Sequence, residues 1–211
     1  MPNVPEVSQK VLKGEISLEG ELKDVTILFC DLRGYTTFAE GRDPKEVVGF
    51  LNEYFTQMEQ AIRAHQGIVL QYIGDEIEAV FGAPLDVPRH GGKAVFAALE
   101  MRARLEALNK KREAEGRGYV AHGIGIHTGR VFAGSVGSQD RLSYAMVGDP
   151  VNTASRIQSL NKTFGTDILI SGVTKELLPA NRFHLASRGR TSLRGRSEAI
   201  EVYAVLGEGS G

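Results

Sequence analysis

A carboxylate, a glycine and a predicted helix start follow one another near residue 31, and together they could hold a metal ion and a polyphosphate. Asp31 follows the apolar run 25–29, which predicts a buried strand. Gly34 permits a sharp reversal in which backbone N–H groups can converge on an anion, and a helix start favours the same ligand. Taken alone, such a segment is more often an ordinary turn with a capping aspartate.

Asp75 is a second carboxylate at the end of a predicted strand. The runs 68–73 and 77–81 alternate like paired strands, and Gly74 and Asp75 fit the two-residue turn between them. Because Gly-Asp is common in hairpins, turn chemistry alone explains Asp75 until Asp31 is considered with it.

Other polar residues are placed by their spacing. Asn152 and Arg156 are four residues apart on a helix predicted to begin near residue 151, so they share one face. His122 and His127 lie on an alternating segment at an odd spacing, which predicts opposite faces and no metal pair. A basic stretch near the C-terminus is expected to be a solvated rim; it comprises Arg188, Arg190, Arg194 and Arg196.

Composition predicts one large domain with trailing segments. The 211 residues can bury a substantial core, and 25 Lys and Arg against 26 Asp and Glu give a net charge of −1. This balance predicts no general attraction to nucleic acid or anionic membranes. Cys30 is the single cysteine and is expected to be a buried structural thiol, which suits a reducing cytosol. No apolar run is long enough for a membrane span or a signal peptide.

Periodicity predicts two long helices between the strands. One should run from Asp43 and Pro44 to about residue 65, and the other over 90–111. Further strands are expected at 122–136, 142–147, 167–170 and 199–205, with a short helix at 174–178. Hairpins mixed with helices favour an α+β fold, in which helices pack on a mixed sheet. We expect a linker at 1–22, the domain at 23–206 and a tail at 207–211.

Four segments, taken in order, resemble the catalytic domain of class III nucleotidyl cyclases, the adenylyl and guanylyl cyclase family. They are residues 29–36, 72–75, 80–84 and 147–156. Each is weak alone, but the joint match is specific and the likeness covers about residues 22–206. The resemblance implies the ferredoxin-like, palm-type sheet of that family. It also implies conversion of a nucleoside triphosphate to the 3′,5′-cyclic monophosphate and pyrophosphate.

The resemblance implies that Asp31, Asp75 and the Leu32 backbone carbonyl bind two divalent cations, Mg²⁺ or Mn²⁺. Two acids that converge from separate strands repel each other unless a cation lies between them. Asn152 would orient the ribose, and Arg156 would stabilise charge on the reacting phosphate. The remaining substrate contacts implied are Gly34, Tyr35 and Thr36 for the phosphates, Arg194 or Arg196 for the triphosphate, and Gln71 and Ala145 for the base.

In this family one subunit supplies the metal carboxylates and the other supplies the asparagine and arginine. The resemblance therefore implies a homodimer with two equivalent sites and an inactive monomer. It also implies a cytoplasmic domain that follows a sensor or membrane module in a longer protein, with membrane tethering left open.

Two positions depart from the family pattern. Cyclases acting on ATP usually carry Lys, with Asp or Thr, where this chain has Gln71 and Ala145, and those acting on GTP carry Glu and Cys. A Gln amide can donate and accept, and Ala145 has no polar side-chain atom, so we expect weak purine selectivity with ATP modestly favoured. Glu76 and Glu78 could approach the base, the metal or the dimer seam, or be solvated edge charges.

Two other interpretations remain open. A nucleotide-binding module that signals by dimerising without turnover is suggested by Gln71 and Ala145, whereas the complete set Asp31, Asp75, Asn152 and Arg156 argues against it. A different two-metal nucleotidyl transferase, such as a dinucleotide cyclase, lacks support because no Gly-Gly-acid-acid-Phe turn is present.

Overall fold

Thirteen helices and strands make up the part of the chain that the structure, a computed structural model, describes: residues 20–138, 142–193, 195 and 198–209. In chain order they are β1 (Glu21–Arg33), α1 (Tyr35–Ala39), α2 (Pro44–Ala64), β2 (Ile68–Ile73), β3 (Glu76–Phe81), α3 (His90–Ala114), β4 (Ala121–Gly137), β5 (Leu142–Val147), α4 (Asp149–Phe164), β6 (Ile168–Ser171), α5 (Gly172–Glu176), β7 (Phe183–Ser192) and β8 (Ala199–Glu208). Within these described residues, none of the helices has the length and apolar character that crossing a membrane requires.

One mixed sheet contains all eight of these strands. Its order is β2-β3-β1-β4-β6-β8-β7, and β5 pairs with the far end of β4. Only β4 and β6 are parallel, and the other pairs are antiparallel. The pairing of β1 with β4 extends from Glu21 opposite Ala133 to Arg33 opposite Ala121, which makes these strands the centre of the sheet. The predicted α+β fold is confirmed.

The two faces of the sheet are covered by different helices. On one face α2 and α3 pack on the alternate residues Leu28, Cys30, Ile77 and Ile124, with Tyr54 and Met101 fully buried between them. On the other face lie Ile27 and Phe29 of β1 together with β5 and the first half of α4. Alternate residues of β1 therefore contribute to the two cores, one on each face of the sheet, as expected for a central strand that is buried on both sides.

Close contact between α4 and β4 depends on a glycine. A Cβ at Gly125 would lie 2.1 Å from the backbone nitrogen of Gln158, so the helix backbone rests directly on the strand. Small residues alternate along β4, which is typical of strands that a neighbouring backbone approaches closely. This contact sets the height of α4 above the sheet and hence the position of the polar side chains on it.

Local signals placed several elements correctly. The Asp43 carboxylate accepts from the Lys45 amide at 2.9 Å and caps α2, with Pro44 as its first residue. The hairpin of β2 and β3 also forms as predicted. The second long helix, α3, runs to Ala114 and so extends beyond its predicted end at residue 111.

One prediction was wrong, and one strand was missed. Asp31 does not follow the end of a strand, because β1 continues through it and pairs Asp31 with Gly123. The basic stretch was not predicted to be a strand, yet Arg188 and Arg190 lie on β7, at the edge of the sheet. Charges and an exposed face weaken the alternation of an edge strand, which explains why the pattern was missed. Arg194 and Arg196 lie outside the described residues.

Candidate active site

Asp31 and Asp75 meet at one edge of the sheet. β1 carries Asp31, and the turn from β2 to β3 carries Asp75, whose carboxyl group is hydrogen-bonded to that of Asp31. Burial, the hydrogen bond and charge of Asp75 and the charge of Glu76 together raise the pKa of Asp31 to about 7. Such a pair holds a proton near neutral pH unless a cation takes the proton's place.

A cleft of about 440 Å³ opens beside the two carboxylates. Its first wall is the segment from Asp31 to Thr36, in which Gly34 adopts a left-handed conformation (φ 68°) with open space around its α-carbon. This conformation suits glycine and starts the short helix α1. The predicted phosphate-binding residues Gly34, Tyr35 and Thr36 therefore line the same cleft as Asp31 and Asp75.

The second wall of the cleft is the C-terminal half of α4. Gln158, Asn161 and Lys162 line it, and Arg33 adds a further cation. None of these residues was predicted from the sequence to belong to the site. A signal existed for Gln158 and Lys162, because residues four apart on a helix share a face, but nothing in the sequence placed that face against Asp31.

Three buried polar side chains form a series of hydrogen bonds next to Asp31. The next residue towards the N-terminus, Cys30, is fully buried, and its Sγ is hydrogen-bonded to the Tyr54 hydroxyl at 3.2 Å. The same hydroxyl is hydrogen-bonded to Nδ1 of His122 at 3.1 Å. Burial lowers the pKa of His122 to about 4 and raises that of the Cys30 thiol, so both side chains are neutral. Cys30 is therefore the structural thiol that the sequence predicted.

The two histidines do not form a pair. His122 faces Tyr54, whereas His127 is hydrogen-bonded through Nδ1 to Ser171 at 2.7 Å on the other side of the sheet. Across the described ranges no cluster of three or more His, Cys, Asp or Glu side chains has the arrangement of a metal site. Any cation at this edge would thus depend on the Asp31 and Asp75 carboxylates, backbone oxygen and ligand oxygens.

Asn152 and Arg156 do not line the cleft of their own chain. Both lie on α4 as predicted, with Asn152 exposed, but they belong to its N-terminal half. A helix rises about 1.5 Å per residue, so Asn152 lies roughly 15 Å along the axis from Lys162. Arg156 is next to Gly195, where a Cβ would be 3.4 Å from Nη2.

The two base-reading positions are also away from the cleft. Gln71 is exposed on β2 and donates through Nε2 to the Glu78 carboxylate at 2.6 Å. Ala145 is on β5 opposite Gly134. Glu78 is only 5% exposed, so the interpretation of Glu78 as a solvated edge charge is wrong. Glu76 is half-buried, and burial and the charges of Glu78 and Asp75 raise its pKa.

Comparison with known proteins places the chain among cyclases. The family model of the adenylate and guanylate cyclase catalytic domain matches residues 19–207. Over 186 residues, 88% of this chain, it is 40% identical to adenylate cyclase 1 of Rhizobium meliloti, covering 28% of that protein. Over 187 residues, 86% of this chain, it is 38% identical to the adenylate cyclase of Anabaena cylindrica, covering 36%. The chain thus spans about a third of the length of these curated relatives.

Solved structures share the fold. The crystal structure of the guanylyl cyclase Cya2 superposes with a TM-score of 0.83 at 36% identity, covering 90% of this chain and 95% of that one. The adenylyl cyclase CyaB from P. aeruginosa gives a TM-score of 0.82 at 27% identity, with coverage of 90% and 96%. The predicted nucleotidyl cyclase fold is confirmed.

Proposed function

Because the chain belongs to the adenylate and guanylate cyclase catalytic-domain family, we propose that it converts a nucleoside triphosphate to the 3′,5′-cyclic monophosphate and pyrophosphate. The observation that carries the proposal is the meeting of Asp31 and Asp75 at a cleft lined by Gly34 and Thr36. The ribose 3′-oxygen attacks the α-phosphorus in line, a new P–O bond forms, and the bond to the β-phosphate oxygen breaks. Positioning and charge stabilisation then supply most of the catalysis.

The carboxylate pair fits divalent cations. Asp31 is half-buried and shares a hydrogen bond with Asp75, an arrangement that favours a shared proton or a cation over two bare charges. Asp31, Asp75 and the Leu32 carbonyl would hold two ions, Mg²⁺ or Mn²⁺. When bound, the ions would lower the pKa of the 3′-hydroxyl and neutralise charge on the triphosphate. The backbone N–H groups of residues 32–36 would donate to the β- and γ-phosphates.

The catalytic asparagine and arginine come from a second copy of the chain. Asn152 and Arg156 lie outside the cleft that contains Asp31, on the other half of α4. A two-fold homodimer brings the N-terminal half of one α4 to the partner's carboxylates and forms two equivalent sites. There Asn152 orients the ribose, and Arg156 stabilises charge on the α-phosphate. Arg194 or Arg196 would add a triphosphate contact.

ATP is the favoured substrate, and GTP is accepted with weak discrimination. The Rhizobium and Anabaena relatives are named adenylate cyclases, which supports ATP. Ala145 has no polar side-chain atom, so Gln71 alone of these two positions can distinguish adenine from guanine. The domain would comprise residues 23–206, preceded by a linker to a sensor or membrane module and acting on the cytoplasmic side.

The proposal is tested by assaying the purified domain with ATP and with GTP in the presence of Mg²⁺ or Mn²⁺. We expect cyclic nucleotide and pyrophosphate from the wild type, with ATP modestly preferred. Asp31→Ala should lower the rate by at least about 100-fold, because the cation site is lost. Equal product from Asp31→Ala and the wild type would refute the proposed site.

The second candidate is an impaired cyclase-homology domain that binds nucleotide and signals through dimerisation. The absence of a polar side chain at Ala145 is the observation that favours it. Calorimetry and the activity assay separate the two functions: tight ATP binding by the dimer without any pyrophosphate release would support this candidate and exclude turnover.

A further inference from the structure

Glu78 is a carboxylate buried inside the sheet. It lies on β3 between Phe29 of β1 and Gln71 of β2, and only 5% of it is exposed. The Phe29 side chain offers no polar atom, whereas the Gln71 amide donates through Nε2 to Glu78 Oε2 at 2.6 Å. A buried carboxylate costs free energy that an apolar side chain at the same place would not. Its hydrogen bond to Gln71 offsets part of this cost.

The contact restricts the Gln71 amide to one orientation. An ionised carboxylate only accepts hydrogen bonds, so the amino group of Gln71, and not its carbonyl oxygen, must face Glu78. Burial raises the pKa of Glu78 and the Gln71 hydrogen bond lowers it, so this bond favours the acceptor-only form. The two polar groups of an amide lie on opposite sides of its carbon. Oε1 of Gln71 is therefore turned away from Glu78, on a residue that is itself exposed.

We infer that Glu78 is a specificity-determining positioning residue, which orients Gln71 so that it presents a hydrogen-bond acceptor to the purine. The inference rests on the proposed function, in which Gln71 reads the base. A free glutamine could rotate its amide to match either base, whereas Gln71 held by Glu78 cannot. Glu78 thus acts through Gln71 and does not touch the substrate.

An acceptor at this position affects the two purines differently. Guanine carries donors at N1 and N2, and both match an outward carbonyl oxygen. Adenine carries a donor only at N6, so it meets the outward carbonyl oxygen at one atom, and Glu78 occupies one of the two Gln71 N–H donors that adenine N1 could use. The Glu78–Gln71 pair therefore shifts the preference towards GTP and opposes the proposed preference for ATP, in a site where Ala145 contributes no polar group.

The test compares Glu78→Met and Glu78→Gln with the wild type. Met removes the partner at similar volume, and the new Gln can also donate to the Gln71 carbonyl, so both release the amide. We expect the ratio of kcat/KM for ATP to that for GTP to rise roughly 2- to 10-fold in both variants, the effect of about one net hydrogen bond. Thermal unfolding of each variant establishes that the fold is retained.

Two further variants show whether the effect passes through Gln71. In a Gln71→Leu background, Glu78→Met should leave the ATP-to-GTP ratio unchanged. The matched control is Glu59→Gln. Glu59 accepts a hydrogen bond at 3.1 Å from the hydroxyl of Tyr72, the residue that follows Gln71 on β2, but it is not hydrogen-bonded to Gln71. This control should keep the wild-type ratio.

Three results would overturn the inference: an unchanged ratio in both Glu78 variants, a fall in the ratio, or a shift that persists without Gln71. Competition of ATP and GTP for a fluorescent nucleotide measures the same preference at equilibrium, with the same expected direction. A wild type that binds nucleotide but forms no cyclic product would refute the proposed turnover alone, and the binding ratios would still decide the role of Glu78.

Discussion

At the scale of single residues, Asp31 and Asp75 place two acids side by side, and Asp31 is not easily ionised there. Burial and the neighbouring carboxyl group raise the pKa of Asp31 to about 7. A raised carboxyl pKa means that the folded state binds more protons than the unfolded chain, so ionising Asp31 destabilises the metal-free protein as the pH rises towards 7. In the proposed function, cation binding at this site would therefore come at the expense of stability.

Asp31→Asn should separate the effect of Asp31 on activity from its effect on the stability of the metal-free protein. Activity should fall at least about 100-fold because a cation ligand is lost. The Tm of the metal-free protein at pH 8 should rise by roughly 2–4 °C, because the amide can donate to Asp75 and the repulsion disappears. Calorimetry in the presence of a chelator measures the change.

Asp86→Asn is the control for Asp31→Asn. Asp86 is an exposed carboxylate paired with Lys23 at 2.7 Å, remote from the cleft. Its substitution should leave activity unchanged and should not raise the Tm. A lower Tm in Asp31→Asn than in the wild type would contradict the repulsion between Asp31 and Asp75.

His122 gives stability the opposite dependence on pH. The pKa of His122 is about 4 in the folded protein, whereas a solvent-exposed histidine has a pKa of 6.5. As the pH falls, the unfolded chain therefore takes up a proton at this residue before the folded protein does. The stabilisation is complete above pH 6.5 and is lost towards pH 4. Between pH 6.5 and pH 4 the wild type loses unfolding free energy because His122 is buried in its neutral form. In His122→Gln this loss should be smaller by about 1–3 kcal/mol.

Urea denaturation of the wild type and His122→Gln at both ends of that range measures the difference. Asp31 is common to both proteins, so its contribution largely cancels. His184→Gln, at an exposed histidine of β7, is the control for a His-to-Gln substitution outside the core. Equal slopes for wild type and His122→Gln would exclude a buried neutral His122.

At the scale of elements, the contact of α4 with β4 determines where the polar residues of the helix lie. A Cβ at Gly125 would approach the Gln158 nitrogen to 2.1 Å and the Ala154 carbonyl oxygen to 2.6 Å, and both atoms belong to the helix backbone. Neither can move without shifting the whole helix. Any side chain at residue 125 should therefore displace Asn152 and Lys162 together.

Gly125→Ala should lower the unfolding free energy by about 3 kcal/mol, at the upper end of overpacking effects. Activity should fall as well, in the fraction that remains folded. Gly49→Ala is the matched control, because Gly49 is exposed within α2 and a Cβ there meets no atom within 4 Å. It should stabilise the protein by up to about 1 kcal/mol. Destabilisation by both variants would refute the specific role of Gly125.

The elements that could be predicted from the sequence are those with a local signal. Asp43 and Pro44 marked the start of α2, and Gly74 with Asp75 marked the hairpin. β7 was missed because an edge strand with Arg188 and Arg190 on it lacks a clear alternation.

The contact of Gln71 with Glu78 could not be predicted for a different reason. The irregularity in β2 between Val69 and Gln71 sets which residue faces Glu78, and strand register depends on the assembled sheet. Likewise, nothing local indicated that the second half of α4 would line the cleft beside Asp31.

At the scale of the whole molecule, the proposed dimer divides its catalytic groups between two chains. The cleft contains Asp31 and Asp75 but not Asn152 and Arg156, so in the proposed dimer it would be half of a catalytic site. Two inactive variants should therefore regain activity when they are mixed, provided that one is substituted in the carboxylate half of the site and the other in the Asn152 and Arg156 half.

Mixing Asp31→Asn with Asn152→Ala should restore activity. Each mixed dimer contains one site with both lesions and one site with neither, so an equimolar random mixture should recover about a quarter of the wild-type activity. Mixing Asp31→Asn with Asp75→Asn should recover nothing, because every site then lacks a carboxylate. The rates of cyclic nucleotide formation before and after mixing decide the matter. Recovery in both mixtures, or in neither, would contradict the shared site.

The placement of α4 has one more consequence for such a dimer. Lys162 near its end lines the cleft of its own chain, while Asn152 near its start would contribute to the partner's cleft. A helix of 16 residues held against β4 behaves as a stiff rod, so a nucleotide that pushes one end must also move the other. The two catalytic centres would then communicate along α4 itself, and filling the first would alter the affinity of the second.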